Sequence, residues 1–200
     1  MIYLIRHAEK SLVGKQKLTK NGLQEAFFYG RKLSRTGIFF DLIKTSPVTR
    51  CLQTAEKIVE GMNIDIPIQE SCLLGNPGIF VKDDQKAAKV FNQHSVCEVI
   101  NQLIQNKHLE GFYPIKPASQ LLIDEFNTAR LTNQSILYIS HDAIIMPFVA
   151  YINGITKIDE KQIVHFLQGY EIIKSSSLRK NQNAENGNLL EHQEDGALVR

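Results

Sequence analysis

The chain alternates brief runs rich in Ile and Leu with stretches of helical period, and that alternation constrains its fold more than any other feature. IYLIR (2–6), FDLIKTS (40–46) and SILYISH (135–141) are too short for helices and end in polar residues, as buried strands do. Between them lie single helical faces: Leu23, Ala26, Phe27, Gly30 and Leu33 within 19–35, then Cys51, Ala55, Ile58 and Val59 within 47–60. Val96, Val99, Ile100, Leu103 and Ile104 form a third stripe, and further helices are expected at 118–131 and 143–152. Thr19 is expected to cap the first helix, with Ser46 as N-cap and Pro47 opening the second. A last strand is expected from Tyr170 to Lys174. Strands alternating with helices predict an α/β three-layer sandwich around a mostly parallel central sheet.

At 200 residues the chain is long enough for one sizeable domain and short for two. That domain is expected over 1–174. Within it, 65–95 is interrupted by Pro67, Gly75, Pro77 and Gly78 and reads as an insertion over the strand ends. From Ser175 to Arg200 the sequence is polar and poor in large apolar groups, the composition of a flexible tail. A net charge of +2 and the lack of a basic run interleaved with aromatics speak against nucleic acid as a partner. Three cysteines without metal-type spacing suit a reducing compartment. The first apolar stretch stops at Ile5, too soon for a secretory signal, and AIIMPFVAYI (143–152) is far shorter than the ~20 residues of a membrane span. A cytoplasmic protein is expected.

The three strands end in Arg6-His7, in Thr45-Ser46 leading to Arg50, and in Ser140-His141-Asp142. In parallel sheets, ligands gather beyond the carboxyl ends of the strands. No Walker loop, Gly-x-Ser-x-Gly elbow, His-Glu-x-x-His pair or cysteine-phosphatase loop occurs. Two guanidinium groups grip a phosphate dianion through paired hydrogen bonds, a geometry that lysine does not reproduce. A neutral imidazole between them is a competent nucleophile at pH 7. A second imidazole suits donation to the equatorial oxygens, and a carboxylic acid suits protonation of the leaving alkoxide.

These blocks resemble the histidine phosphatase superfamily, with its phosphoglycerate-mutase-like fold. The resemblance runs through LIRHAEK (4–10), LTKNGLQEA (18–26), TSPVTRCLQTAE (45–56), ISHDAII (139–145) and, more faintly, FLQGYEI (166–172), in the family's order. It implies His7 as the phosphorylated nucleophile, with Arg6, Arg50 and His141 forming the phosphate pocket and no metal or cofactor. Ala8 stands where the family often has glycine. Asp142 is the preferred proton donor, because the SHD block resembles the acid-phosphatase branch; Glu70 is the alternative, by analogy with the mutase branch. The implied function is metal-independent hydrolysis of a phosphomonoester, small-molecule or peptide, with neither nucleic acid nor membrane as a partner. The alternatives are a phosphotransferase or mutase of the same superfamily and a non-catalytic phospho-ligand scaffold. Small net charge and the lack of a basic rim speak against a highly phosphorylated substrate.

Other residues have plainer readings. His94, His108 and His192 stand in polar surroundings and read as surface residues, while His165 reads as packing. Glu9 and Lys10 read as an adjacent charged pair, and Cys51 as an inward-facing helix residue without a reactive role.

Overall fold

The computed structural model describes residues 1–12, 16–174 and 177–181. Strand β1 (Ile2–Arg6) is buried along almost its whole length, and so is β4 (Ile136–Ser140). Continuous apolar runs of this kind belong to sheets covered on both faces. With β2 (Leu42–Thr45), β3 (Ile68–Glu70), β5 (Gly169–Lys174) and β6 (Ser177–Asn181) they form one sheet in the order β3-β2-β4-β1-β5-β6. The first four run parallel, while β5 is antiparallel to β1 and β6 to β5. The mostly parallel sandwich is therefore as expected, and β5 returns antiparallel so that its start at Gly169 lies beside Ile5.

Alternation along the strands sorts the core into two layers. Tyr3, Ile5, Ile43, Leu137 and Ile139 pack against α1 (Lys20–Arg35) and α2 (Thr49–Met62). Ile2, Leu4, Ile136 and Tyr138 face the opposite way, toward α3 (Asp84–Gln93), α4 (Val96–Ile104), α5 (Ile115–Leu131) and α6 (Asp142–Asn153). Helices α1 and α2 touch through their backbones: a Cβ at Gly30 would run into the Ile58 carbonyl, and one at Gly61 into that of Phe27. The apolar AIIMPFVAYI stretch is α6, buried over Ile144–Ala150 and packed against α4 and α5. Among the described residues no helix is long and apolar enough to cross a membrane.

Thr19 caps α1 as expected, accepting from the Gly22 N–H at 2.8 Å. Ser46 does not cap α2. That helix begins at Thr49, after Val48 in extended conformation, because the Ser46 Oγ is already engaged by the Val48 N–H and by His141. The expected insertion at 65–95 divides into unlike parts. Ile68–Glu70 joins the sheet as its edge, a short 3-10 turn follows at Cys72–Leu74, and Asp83 caps α3 through the Lys86 N–H. The expected tail also needs correction, since Ser177–Asn181 pairs along β5 as an edge strand. An unpaired β5 would expose a row of backbone donors and acceptors, and a polar, Lys- and Arg-containing sequence is the usual composition of a protective edge. Residues 182–200, His192 among them, lie outside the described residues.

Candidate active site

The carboxyl ends of β1, β2 and β4 lie side by side, with Arg6 level with Ser140 and Thr45 level with Ile139. Residues that follow these strands are thereby brought to one edge of the sheet. His7 is buried and its Nδ1 lies 2.7 Å from the Ala8 carbonyl, an acceptor only, so Nδ1 carries the proton. The lone pair is then on Nε2, which accepts from Arg50 Nε at 3.0 Å. Arg50, in the first turn of α2, also places Nη2 3.0 Å from Nδ1 of His141. A guanidinium only donates, so His141 carries its own proton on Nε2, 3.0 Å from the Ser46 Oγ. A single arginine thus addresses both imidazoles.

Arg6 is held from two sides. Its Nη2 pairs with Asp142 Oδ2 at 2.5 Å, and its Nη1 donates to the Val164 carbonyl at 2.7 Å. Its guanidinium lies 4.4 Å from the ring centre of Phe166, which also flanks His7. Arg6 Nε is buried without an acceptor among the protein atoms. The turn before β5 therefore completes the site: its backbone clasps Arg6 through Gln168 O and Leu167 N. From the other side Gly75 presses against Ser46 and His141, and the preceding carbonyl, Leu74 O, accepts from Ser140 Oγ.

Electrostatics follow from burial among cations. Burial is the largest cause that pushes the His7 pKa down, to about 3, and the Arg50, Arg6 and Lys10 charges add to it against the favourable Ala8 bond. His141 is held well below its ordinary value by the same burial, with Arg50 the next cause. Both imidazoles are neutral at pH 7. Burial raises the Cys51 thiol to about 12, so this inward-facing side chain beside His141 stays protonated and unreactive.

Of the six residues singled out from sequence, Arg6, His7, Arg50, His141 and Asp142 converge. Glu70 ends β3 on the same edge of the sheet, level with Thr45, but is exposed. The Glu9 carboxylate accepts from Thr19 Oγ1 and Asn21 Nδ2, which ties the end of the β1 loop to the start of α1. His165 is exposed instead of packed, since the turn that carries it points Val164 and Leu167 inward. Ser46, Thr54, Gly75 and Phe166 are site neighbours that sequence reasoning passed over or assigned elsewhere. Among the described residues no group of three or more His, Cys, Asp or Glu side chains gathers as a metal site.

Residues 2–73 match the model of the histidine phosphatase superfamily, branch 1, a stretch that includes Glu70 and ends before His141 and Asp142. The chain is 35% identical over 74 residues to the mitochondrial serine/threonine-protein phosphatase Pgam5 of Caenorhabditis briggsae. That match covers 36% of this chain and 26% of the relative, about a quarter of its length. A phosphoserine phosphatase from Entamoeba histolytica, solved with phosphoserine, shares the fold with a TM-score of 0.57 at 18% identity, over 90% of this chain and 96% of that one. YhfR of Bacillus stearothermophilus does so with a TM-score of 0.56 at 17% identity, over 90% and 94% of the two chains. Similarity to the histidine phosphatase superfamily thus rests on the amino-terminal stretch 2–73, while the fold is shared with these solved structures over nine-tenths of the chain.

Proposed function

We propose that the protein is a metal-independent phosphomonoester hydrolase that works through a phosphohistidine at Nε2 of His7. The observation that carries this reading is Arg50, whose donors meet His7 Nε2 and His141 Nδ1 at 3.0 Å each. Phosphate entering between Arg6 and Arg50 offers acceptors to the Arg50 donors and to the unpartnered Arg6 Nε. The Nε2 lone pair is then released for in-line attack on phosphorus. As the N–P bond forms, the ester P–O bond breaks, and the leaving oxygen takes a proton from Asp142. In the ion pair with Arg6, Asp142 is a carboxylate. A phosphate oxygen that takes its place on Arg6 frees Asp142 to take up from solvent the proton that it then passes to the leaving oxygen. Water activated by the same carboxylate then attacks phosphorus, which returns His7 and releases inorganic phosphate. The family match, and relatives that are themselves named phosphatases, support a phosphatase in general.

The test is phosphate release from p-nitrophenyl phosphate in EDTA, with wild type beside His7→Ala. Turnover that persists in EDTA and vanishes in the variant is expected, with an acid-labile phosphoenzyme trapped in wild type alone. Equal turnover in both proteins would refute the nucleophile assignment.

A further inference from the structure

We propose that Thr54 is a positioning residue for the nucleophile: it holds the backbone of Ala8 and, through Ala8, fixes the ring tautomer of His7. This rests on the reading of His7 as the attacking group. Thr54 is fully buried on the inward face of α2. Its hydroxyl donates to the Arg50 carbonyl one turn earlier at 2.7 Å. With the hydroxyl proton committed there, the oxygen is left as an acceptor, and it takes the Ala8 N–H at 3.1 Å. The other backbone group of Ala8, its carbonyl, accepts from His7 Nδ1. Ala8 is therefore gripped at both ends, by Thr54 and by the ring it orients.

The consequence runs from Thr54 to the reacting atom. Ala8 is buried, so an N–H deprived of Thr54 has no water to turn to and the residue rotates in search of another acceptor. Its carbonyl then leaves Nδ1, the proton is no longer confined to that nitrogen, and Nε2 ceases to be a dedicated lone pair. Because the same hydroxyl also bonds the Arg50 backbone, the nucleophile and the arginine that faces it are tied to one point on α2. Gln53, the preceding residue, supplies an internal control. Its Oε1 accepts from the Leu18 N–H at 2.9 Å and so secures the far end of the same loop.

The experiment combines 15N NMR of the His7 ring with steady-state kinetics on p-nitrophenyl phosphate, for wild type, Thr54→Val, Thr54→Ser and Gln53→Leu. Wild type is expected to show the Nδ1–H tautomer. Thr54→Val should give a mixture of tautomers and lose about 10- to 100-fold in kcat, with KM changed far less. Thr54→Ser should restore both, and Gln53→Leu should keep the wild-type tautomer. A single wild-type tautomer in Thr54→Val, or a kcat loss equalled in Gln53→Leu, overturns the proposal. Should Thr54→Val not fold, Thr54→Ala is read in the same way. An Nε2–H ring in the wild type refutes the proposal without any variant. The NMR measurement needs no turnover, so failure here is distinguishable from a nucleophile assignment refuted by an active His7→Ala.

Discussion

Gly75→Ala is the sharpest perturbation that the geometry offers outside the residues of the reaction itself. Gly75 has φ 147° and ψ 161°, a region reserved in practice for glycine, so any side chain there costs about 1–3 kcal/mol of backbone strain. The new Cβ would also stand 2.5 Å from Ser46 Oγ and 2.6 Å from His141 Nε2. Ordinary contact needs about 3.5 Å, so the imidazole must retreat by roughly 1 Å. Overpacking of that kind adds about 1–3 kcal/mol. With roughly 4 kcal/mol as a central sum, Tm should fall by about 8–16 °C in a chain of this size. The retreat also strips His141 from Ser46 and draws Nδ1 away from Arg50, so kcat/KM should fall by about 100-fold. Differential scanning calorimetry and kinetics on p-nitrophenyl phosphate read the two effects separately. A variant with wild-type Tm would refute the close packing. One that loses Tm but keeps its turnover per folded molecule would refute the link from Gly75 through His141 to chemistry.

Asp142→Asn should lower kcat on an alkyl phosphate, whose leaving oxygen needs a proton, by about 100-fold or more, and do far less on p-nitrophenyl phosphate. Glu70→Gln should change neither, and the reverse pattern would move the acid to β3. Stability should also depend on pH through the two buried imidazoles. Their pKa values in the folded protein lie below the ordinary 6.5, so the unfolded chain takes up protons first as pH falls. Their contribution is intact above about pH 6.5 and is lost as pH drops below it, for His7 down to about 3, at up to about 1.4 kcal/mol per pH unit for each histidine. Urea denaturation midpoints at pH 7, 5 and 4 should decline less steeply in His7→Gln than in wild type, and parallel declines would refute the assignment.

Where local chemistry decides structure, the sequence was readable. The all-apolar runs of β1 and β4 could serve only a sheet covered on both sides, and Thr19 before a helical stripe is a cap on its own terms. The Arg-His and His-Asp pairs were legible because each stands at the carboxyl end of such a strand. Where a partner is distant in sequence, the same reasoning failed. Ser46-Pro47 ahead of an apolar stripe satisfies every local rule for a helix start, yet the hydroxyl belongs to His141, 95 residues away. Thr54 on the inward face of a helix reads as packing until Ala8 is placed beside it, 46 residues distant. The Pro and Gly residues around α3 suggested irregular chain and hid the Asp83 cap and the pairing of Ile68–Glu70 with β2. The polar strand β6 carries no apolar pattern at all, because an edge strand needs only its backbone to pair.

The glycine contacts between α1 and α2 bear on how such a site changes over evolutionary time. With Gly30 against the Ile58 carbonyl and Gly61 against that of Phe27, neither helix can slide or roll past the other without a collision of main chains. Arg50, Gln53 and Thr54 all ride on the locked helix, so the arginine's position is inherited as a fixed distance and not tuned by drift in the core. Novelty is left to the chain that surrounds this anchor: the loop between β1 and α1, the stretch after β3 and the turn before β5. Substitutions there can reshape what leaves with the oxygen while the grip on phosphorus passes unchanged from one descendant to the next.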